Sequence, residues 1–244
     1  MKKLKEDLKY LRLTNLQDNI ETYLREAEEK KPSYLRFLKQ IMADEYEHHK
    51  EKARKSRVSR ARIPIPYGLD TFPFERQSHV DRARLMARHD SLDYITGPKC
   101  IIFIGQVGAG KTGLATSFLM NAIAHGYSGK FVTFAGLMEE LYKSQADDSG
   151  KVVINKYSKV DCLCIDEVGR MPLDKKQVGL FYSLIQQRYK KKCTIITTDL
   201  GLKEWDKFIE DKHMAAAIVD RLVDGGHVIH LKNCTTLRGQ PDID

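Results

Sequence analysis

Gly105-Gln106-Val107-Gly108-Ala109-Gly110-Lys111-Thr112 decides how the rest of this chain is read. The apolar run Cys100-Ile101-Ile102-Phe103-Ile104 precedes it, and Gly113-Leu114-Ala115-Thr116-Ser117-Phe118-Leu119 follows. That order is strand, glycine-rich turn, helix, the setting a phosphate-binding loop requires. The glycines let the backbone turn tightly and aim successive N–H groups inward as an anion cradle. The helix N-terminus behind the turn adds the positive end of its dipole. Lys111 is placed to reach the outer phosphates, and the Thr112 hydroxyl to ligate magnesium. Glycine-rich turns before helices are common, but the full G-x-x-x-x-G-K-T pattern in this setting is specific. Gly105 to Thr112 is therefore expected to bind a nucleoside triphosphate.

From residue 99 onward, strand-like and helix-like segments alternate. The expected strands are 100–104, 130–134, 160–165, 193–198 and 227–231, and the expected helices 111–124, 136–144, 174–190, 202–210 and 214–224. Near-continuous apolar strands between amphipathic helices predict an α/β core, a parallel sheet covered on both faces. One of these strands ends in Asp166-Glu167. In a parallel sheet the C-terminal strand ends gather at the ligand crevice. There Asp166 would hold Mg2+ and Glu167 would act as general base on a water. An Asp-Glu pair alone would only mark a strand end. Downstream of a phosphate loop it points to ATP hydrolysis.

The next strand, Cys193 to Thr198, runs into Asp199. Thr198 or Asp199 is a candidate to orient the water, and a plain turn into the following helix is an equal alternative. Arg221 sits near a helical face with Ala217, Ile218 and Leu222. From spacing alone it reads as a solvated charge or a partner of Asp220, with an arginine finger as the other reading.

Residues 1 to about 60 read as helical. Leu4, Leu8 and Leu11 mark one apolar face, Leu16, Ile20 and Leu24 a second, and Leu35, Leu38, Ile41, Met42 and Tyr46 a third, with Ser33 as its N-cap. The third helix is expected to run on to Arg60, where Pro64 and Pro66 stop it. The aromatic-bearing stretch 63–80 reads as an ordered linker. The expected organisation is a helical domain at 1–62, a linker and first part of the ATPase domain at 63–98, and the core at 99–244.

The net charge of +8 suggests a polyanionic partner, and its distribution sharpens the suggestion. Lys50, Lys52, Arg54, Lys55, Arg57, Arg60 and Arg62 crowd the window 50–62, opposed there only by Glu51. Charge runs are usually solvated faces, yet a single-signed one suits the DNA backbone, which needs no base-reading residues. No segment approaches the roughly 18 apolar residues of a membrane span, and the basic N-terminus lacks the apolar region of a secretory signal. The chain is expected to be soluble and cytoplasmic, without a membrane partner. The five cysteines show no zinc-site spacing and read as reduced core residues.

Several further stretches carry a resemblance: Leu8-Lys9-Tyr10-Leu11-Arg12-Leu13, Arg60-Ala61-Arg62-Ile63-Pro64, Leu69-Asp70-Thr71-Phe72-Pro73-Phe74, Cys162 to Arg170, and Gln187-Arg188-Tyr189 followed by Thr194 to Thr198. Together with the phosphate loop and Asp220-Arg221-Leu222 they resemble the IstB-like transposition helper ATPases. These are a branch of the AAA+ class close to DnaC-type helicase loaders. The resemblance covers nearly the whole chain. It implies an AAA+ P-loop core behind a small helical DNA-contacting domain. It also implies ATP-dependent homo-oligomeric assembly on duplex DNA, ATP at subunit interfaces and delivery of target DNA to a transposase. Under it, Arg221 is the arginine finger. Two departures stand out. The family carries Asn where this chain has Asp199, and a carboxylate cannot donate to a γ-phosphate as an amide can. The chain also ends soon after Arg238, which leaves no room for a helical lid. The rival readings are a helicase loader, a nucleotide-gated DNA scaffold with little turnover, and a small-molecule kinase that would leave the basic N-terminal helix unexplained.

Overall fold

In the computed structural model, residues 1–77, 79–97, 99–144, 150–234 and 236–237 are described, and the chain divides into two units, Met1–Ser56 and Arg57–Asp244. Arg238 and the residues after it lie outside the described part.

The first unit is helical: α1 spans Lys2–Tyr10, α2 Thr14–Lys30, and α3 Tyr34–Ala61, crossing the division. Its small core is Leu8, Leu16, Ile20 and Ile41, with Leu13, Tyr23 and Phe37 against it. This corrects the expected faces. Leu4, Leu11 and Leu24 are exposed, as are Leu35, Leu38, Met42 and Tyr46 of α3. The inward face of α3 is Phe37, Ile41 and Glu45 instead. Glu45 is buried, and its carboxylate accepts from the backbone N–H groups of Leu16 (2.7 Å) and Asn15 (3.4 Å). Those are orphan donors at the start of α2, where a negative charge is also favoured by the helix dipole. A carboxylate therefore turns inward at the place an apolar stripe would otherwise claim. The Ser33 hydroxyl does accept from Arg36 N–H at 3.4 Å, as an N-cap should.

The second unit opens with the segment read as a linker. It forms two short 3-10 turns, Leu69–Thr71 and Phe74–Gln77, then α4 (Arg82–Ser91) and α5 (Asp93–Thr96), neither of which had been expected. Leu69, Phe72, Leu85 and Tyr94 are buried within one of the two sheet-flanking cores, so this stretch is packed structure.

The sheet follows: β1 Cys100–Gly105, α6 Lys111–Ala124, β2 Gly129–Thr133, α7 Phe134–Lys143, α8 Gly150–Ser158, β3 Cys162–Val168, α9 Lys175–Arg188, β4 Cys193–Thr198, α10 Lys212–Val223 and β5 His227–Leu231. Its five strands run parallel in the order β2-β3-β4-β1-β5. Alternation along each strand feeds two cores. Ile101, Phe103, Cys162 and Cys164 face one side with Leu114 and Phe118 of α6. Ile102, Ile104, Leu163 and Ile165 face the other with Leu137, Phe181 and Ile218 of α7, α9 and α10. All five cysteines are free thiols.

Two boundaries depart from expectation in ways that matter. The expected helix 202–210 is only a 3-10 turn over Leu202–Lys207. Leu173 N–H donates to Phe208 C=O at 2.9 Å and Leu173 bridges Ile209, so the chain is drawn out of the helix to pair with a neighbouring segment. The strand expected to stop at Ile165 runs to Val168, with a register shift against β4 between Ile165 and Val168. Helix α8 had no expected counterpart.

Candidate nucleotide site

β1 delivers the chain to the loop and α6 takes it away. Gly110, the residue before α6, has φ +91°, and a Cβ there would lie 2.7 Å from the Phe72 ring. Only glycine meets both conditions. Gly108 is likewise left-handed, at φ +84°. Among the described residues no side chain caps the N-terminus of α6, which leaves its first N–H groups available to an anion. Gln106 and Val107 are exposed at the tip, and Ala109 is buried beneath it with its N–H on Gln106 C=O. The Lys111 ammonium donates to Gly105 C=O (2.8 Å) and Gln106 C=O (2.9 Å), which curls it over its own loop. Half-burial lowers its pKa, and the negative charge of Asp199 opposes that shift.

At the end of β3, Asp166 is 5 % exposed. Thr112 Oγ1 donates to it, 3.0 and 3.1 Å from its two carboxylate oxygens, and Thr197 Oγ1 of β4 also donates to it. Glu167 follows in a left-handed conformation, φ +64°, uncommon for a residue with a side chain. Its N–H donates to Thr197 Oγ1 at 2.9 Å. Thr197 thus reads both acidic residues, donating to one and accepting from the next. The Glu167 carboxylate receives Arg170 Nη1 at 2.6 Å, and Arg170 Nε stands 3.9 Å from Asp199 Oδ2. Lys111, Thr112, Glu167, Arg170, Thr198 and Asp199 line a cavity of about 490 Å3. Pro64, Ile65, Tyr67 and Phe72 form an apolar part of the same wall. Arg170, Thr197 and that apolar wall had not been foreseen. Two adjacent threonines at the end of an apolar strand were the available signal for Thr197.

Arg221 lies outside this cavity lining. It donates to Gln186 Oε1, to Ala217 C=O (2.7 Å) and to Tyr182 Oη (2.9 Å), and stacks 4.8 Å over the Tyr182 ring. In the basic segment, Lys50 pairs with Glu47, and Arg54 and Lys55 with Glu51. Arg57 Nε donates to Ile123 C=O at 3.4 Å. Lys52, Arg60 and Arg62 are exposed, without an acidic partner among the described residues.

A glycine loop on an uncapped helix N-terminus, beside a hydroxyl and a buried carboxylate at the end of the next strand but one, is a P-loop nucleotide site on an AAA+-like sheet. Residues 6–240 match the IstB-like ATP-binding protein family, and the chain belongs to that family. A protein named for insertion sequence IS21 in Pseudomonas aeruginosa is 27 % identical over 232 residues, covering 95 % of this chain and 87 % of that one. One named for insertion sequence IS5376 in Geobacillus stearothermophilus is 31 % identical over 202 residues, covering 82 % and 79 %. Among solved structures, a DnaC helicase loader has a similar fold, with a TM-score of 0.55 and 22 % identity over 68 % of this chain and 96 % of that one. AMPPCP-bound DnaA from Aquifex aeolicus superposes with a TM-score of 0.57 at 19 % identity, covering 69 % and 51 %. This is therefore an ATP-binding protein of the insertion-sequence type with an α/β fold of the DnaA and DnaC kind. Among the described residues, no helix is long and apolar enough to cross a membrane.

Proposed function

We propose that this chain hydrolyses ATP and uses the bound nucleotide to control assembly on duplex DNA during DNA transposition. The observation that carries the chemical half is the meeting of Thr112, Asp166 and Glu167 beside Lys111, at the mouth of the phosphate loop. Uncapped N–H groups of α6 would hold the phosphates, and Lys111 would leave its loop carbonyls for the outer ones. Thr112 and Asp166 offer clustered oxygen ligands, the donor chemistry Mg2+ favours, and that ion would offset phosphate charge when bound. It keeps most of its shell as water and phosphate oxygen, so two protein ligands suffice. The Glu167 carboxylate would take a proton from a water as that water's oxygen bonds to the γ-phosphorus. The bond from phosphorus to the bridging oxygen would break with its electron pair leaving on ADP.

The DNA half rests on the family, on the insertion-sequence relatives and on the unpaired cations Lys52, Arg60 and Arg62. The transposase partner and the homo-oligomer with ATP at its interfaces rest on the family resemblance. Arg221 would serve a neighbouring subunit's γ-phosphate only after leaving Gln186 and Tyr182, which makes oligomer formation the step that frees it. The DnaC-like fold keeps a helicase-loading role as the second reading. The test is steady-state ATPase activity with and without duplex DNA, followed by capture of purified transposase or replicative helicase. Hydrolysis stimulated by duplex DNA, with capture of the transposase, is expected. No hydrolysis in either condition would overturn the enzymatic reading, and capture of the helicase alone would replace transposition with loading.

A further inference from the structure

The turn after β3 is built in an unusual way. Glu167 is left-handed at φ +64°, and Gly169 again at φ +94°. A Cβ on Gly169 would stand 2.7 Å from Leu200 and 3.3 Å from the Phe208 ring, so that position admits no side chain. Two left-handed residues so close together fold the chain back sharply. The fold-back is what sets the Arg170 guanidinium against Glu167 at 2.6 Å, with Asp199 at 3.9 Å on its other side. Both acidic groups and Arg170 line the same cavity as Lys111 and Thr112. A left-handed non-glycine residue carries strain that persists only where its surroundings impose it, and here the hydrogen bond from Glu167 N–H to Thr197 does so.

The arrangement puts a cation between two carboxylates at the position where a terminal phosphate would enter. The Arg170 and Glu167 side chains are 39 % and 38 % exposed, so water screens their pair and it opens at little cost. A phosphate oxygen arriving in this lysine-bearing cavity is the stronger partner, because guanidinium and phosphate match in a two-pronged geometry. Asp199 cannot donate to a phosphate, but it can steady the cation that does.

We propose that Arg170, steadied by Asp199, is the γ-phosphate sensor of this chain: it binds the terminal phosphate of ATP in its own subunit and in doing so releases the Glu167 carboxylate. This rests on the ATP-hydrolysing reading above. With ADP bound, or with no nucleotide, the Arg170 guanidinium stays against the Glu167 carboxylate and occupies the side on which a water would approach. With ATP bound, the cation moves to the phosphate, and Glu167 is free to accept the proton of the attacking water. The two left-handed positions keep the distance short enough for one side chain to serve both partners. A carboxylate at position 199 then gives Arg170 a negative charge that an amide would lack.

The test is equilibrium binding of ADP and of a slowly hydrolysed ATP analogue to the full-length chain, for wild type, Arg170→Ala and Arg170→Lys. The wild type is expected to bind the analogue more tightly than ADP. Arg170→Ala is expected to weaken analogue binding by about 10- to 100-fold and to leave ADP binding within about twofold, as loss of a charge-assisted bond to one phosphate requires. Arg170→Lys keeps a cation and should recover part of the loss. Because Arg170 is partly exposed, both variants should fold, and ADP affinity reports that they have. Unchanged discrimination between analogue and ADP in Arg170→Ala would overturn the proposal, as would an equal loss for both nucleotides. A wild-type chain that binds neither nucleotide would sink the ATPase reading itself, a different outcome from either of these.

Discussion

Replacing Gly110 and Gly179 with alanine should move stability in opposite directions. Gly110 is left-handed at φ +91°, and an added Cβ would meet Phe72 Cε2 at 2.7 Å and Leu237 Cδ1 at 3.0 Å. The backbone strain is worth about 1–2 kcal/mol and the forced repacking about 1–3 kcal/mol, so Gly110→Ala should destabilise by about 2–5 kcal/mol. Gly179 lies inside α9, exposed, and its Cβ would meet nothing within 4 Å. Gly179→Ala should stabilise by about 0.5–1 kcal/mol, because alanine loses less backbone freedom on entering a helix. For a unit of this size each kcal/mol shifts the melting temperature by about 2–4 °C. Thermal unfolding followed by circular dichroism should therefore show Gly110→Ala melting about 4–20 °C low and Gly179→Ala about 1–4 °C high. A second scan with a slowly hydrolysed ATP analogue separates the site from the scaffold. The ligand-induced rise in melting temperature should survive in Gly179→Ala and vanish in Gly110→Ala, whose loop can no longer close on the phosphates. Equal melting temperatures for wild type and Gly110→Ala would refute both the left-handed loop and the Phe72 contact.

Lys111→Ala should abolish binding of a fluorescent ATP analogue, whereas Glu167→Gln should keep it and lose about 10²-fold or more in hydrolysis measured by phosphate release. Arg221→Ala should retain ATP binding and lose ATPase activity. Mixing it with Lys111→Ala subunits should restore some turnover, and no rescue in demonstrably mixed assemblies would leave Arg221 as a structural clamp on Tyr182. Replacing Lys52, Arg60 and Arg62 with Gln should weaken duplex binding for all sequences and flatten the slope of log K against log salt by up to about 3 units. A slope equal to wild type would place the DNA surface elsewhere.

The phosphate loop and the strands were legible because each is local. A glycine pattern and an apolar run of five or six residues carry their own geometry, whatever surrounds them. The acidic pair was legible as two carboxylates at a strand end but not in its conformation. The left-handed turn at Glu167 is imposed by Thr197 on β4, thirty residues away, and no window of sequence contains that hydrogen bond. The same distance hid Arg170, whose residue type is ordinary on a surface and acquires meaning only beside Glu167 and Asp199. In α3 the helical period admits two stripes, Leu35-Leu38-Met42-Tyr46 and Phe37-Ile41-Glu45. The more apolar one is exposed, because the choice is made by the orphan donors of α2 that Glu45 satisfies. The segment 63–80 looked like a linker because Pro-rich stretches lack a period. Yet its aromatic residues pack through tertiary contacts that periodicity does not report.

The strand order has a consequence for how this protein is made. β1, which carries the phosphate loop, is the first strand of the sheet to be synthesised, yet it pairs with the last two: Cys100 lies opposite Thr194 of β4, and Ile101 opposite His227 of β5. Only β2 and β3 can join while the ribosome is still in the middle of the domain. The loop thus emerges on a strand with no neighbours and waits for both of them until Cys193 and the residues after it are made. Long-range parallel pairing of this kind is slow. Nucleotide can therefore act as a folding ligand only after Leu231 has cleared the exit tunnel. Until then the apolar side chains of β1 have neither of their neighbouring strands beside them.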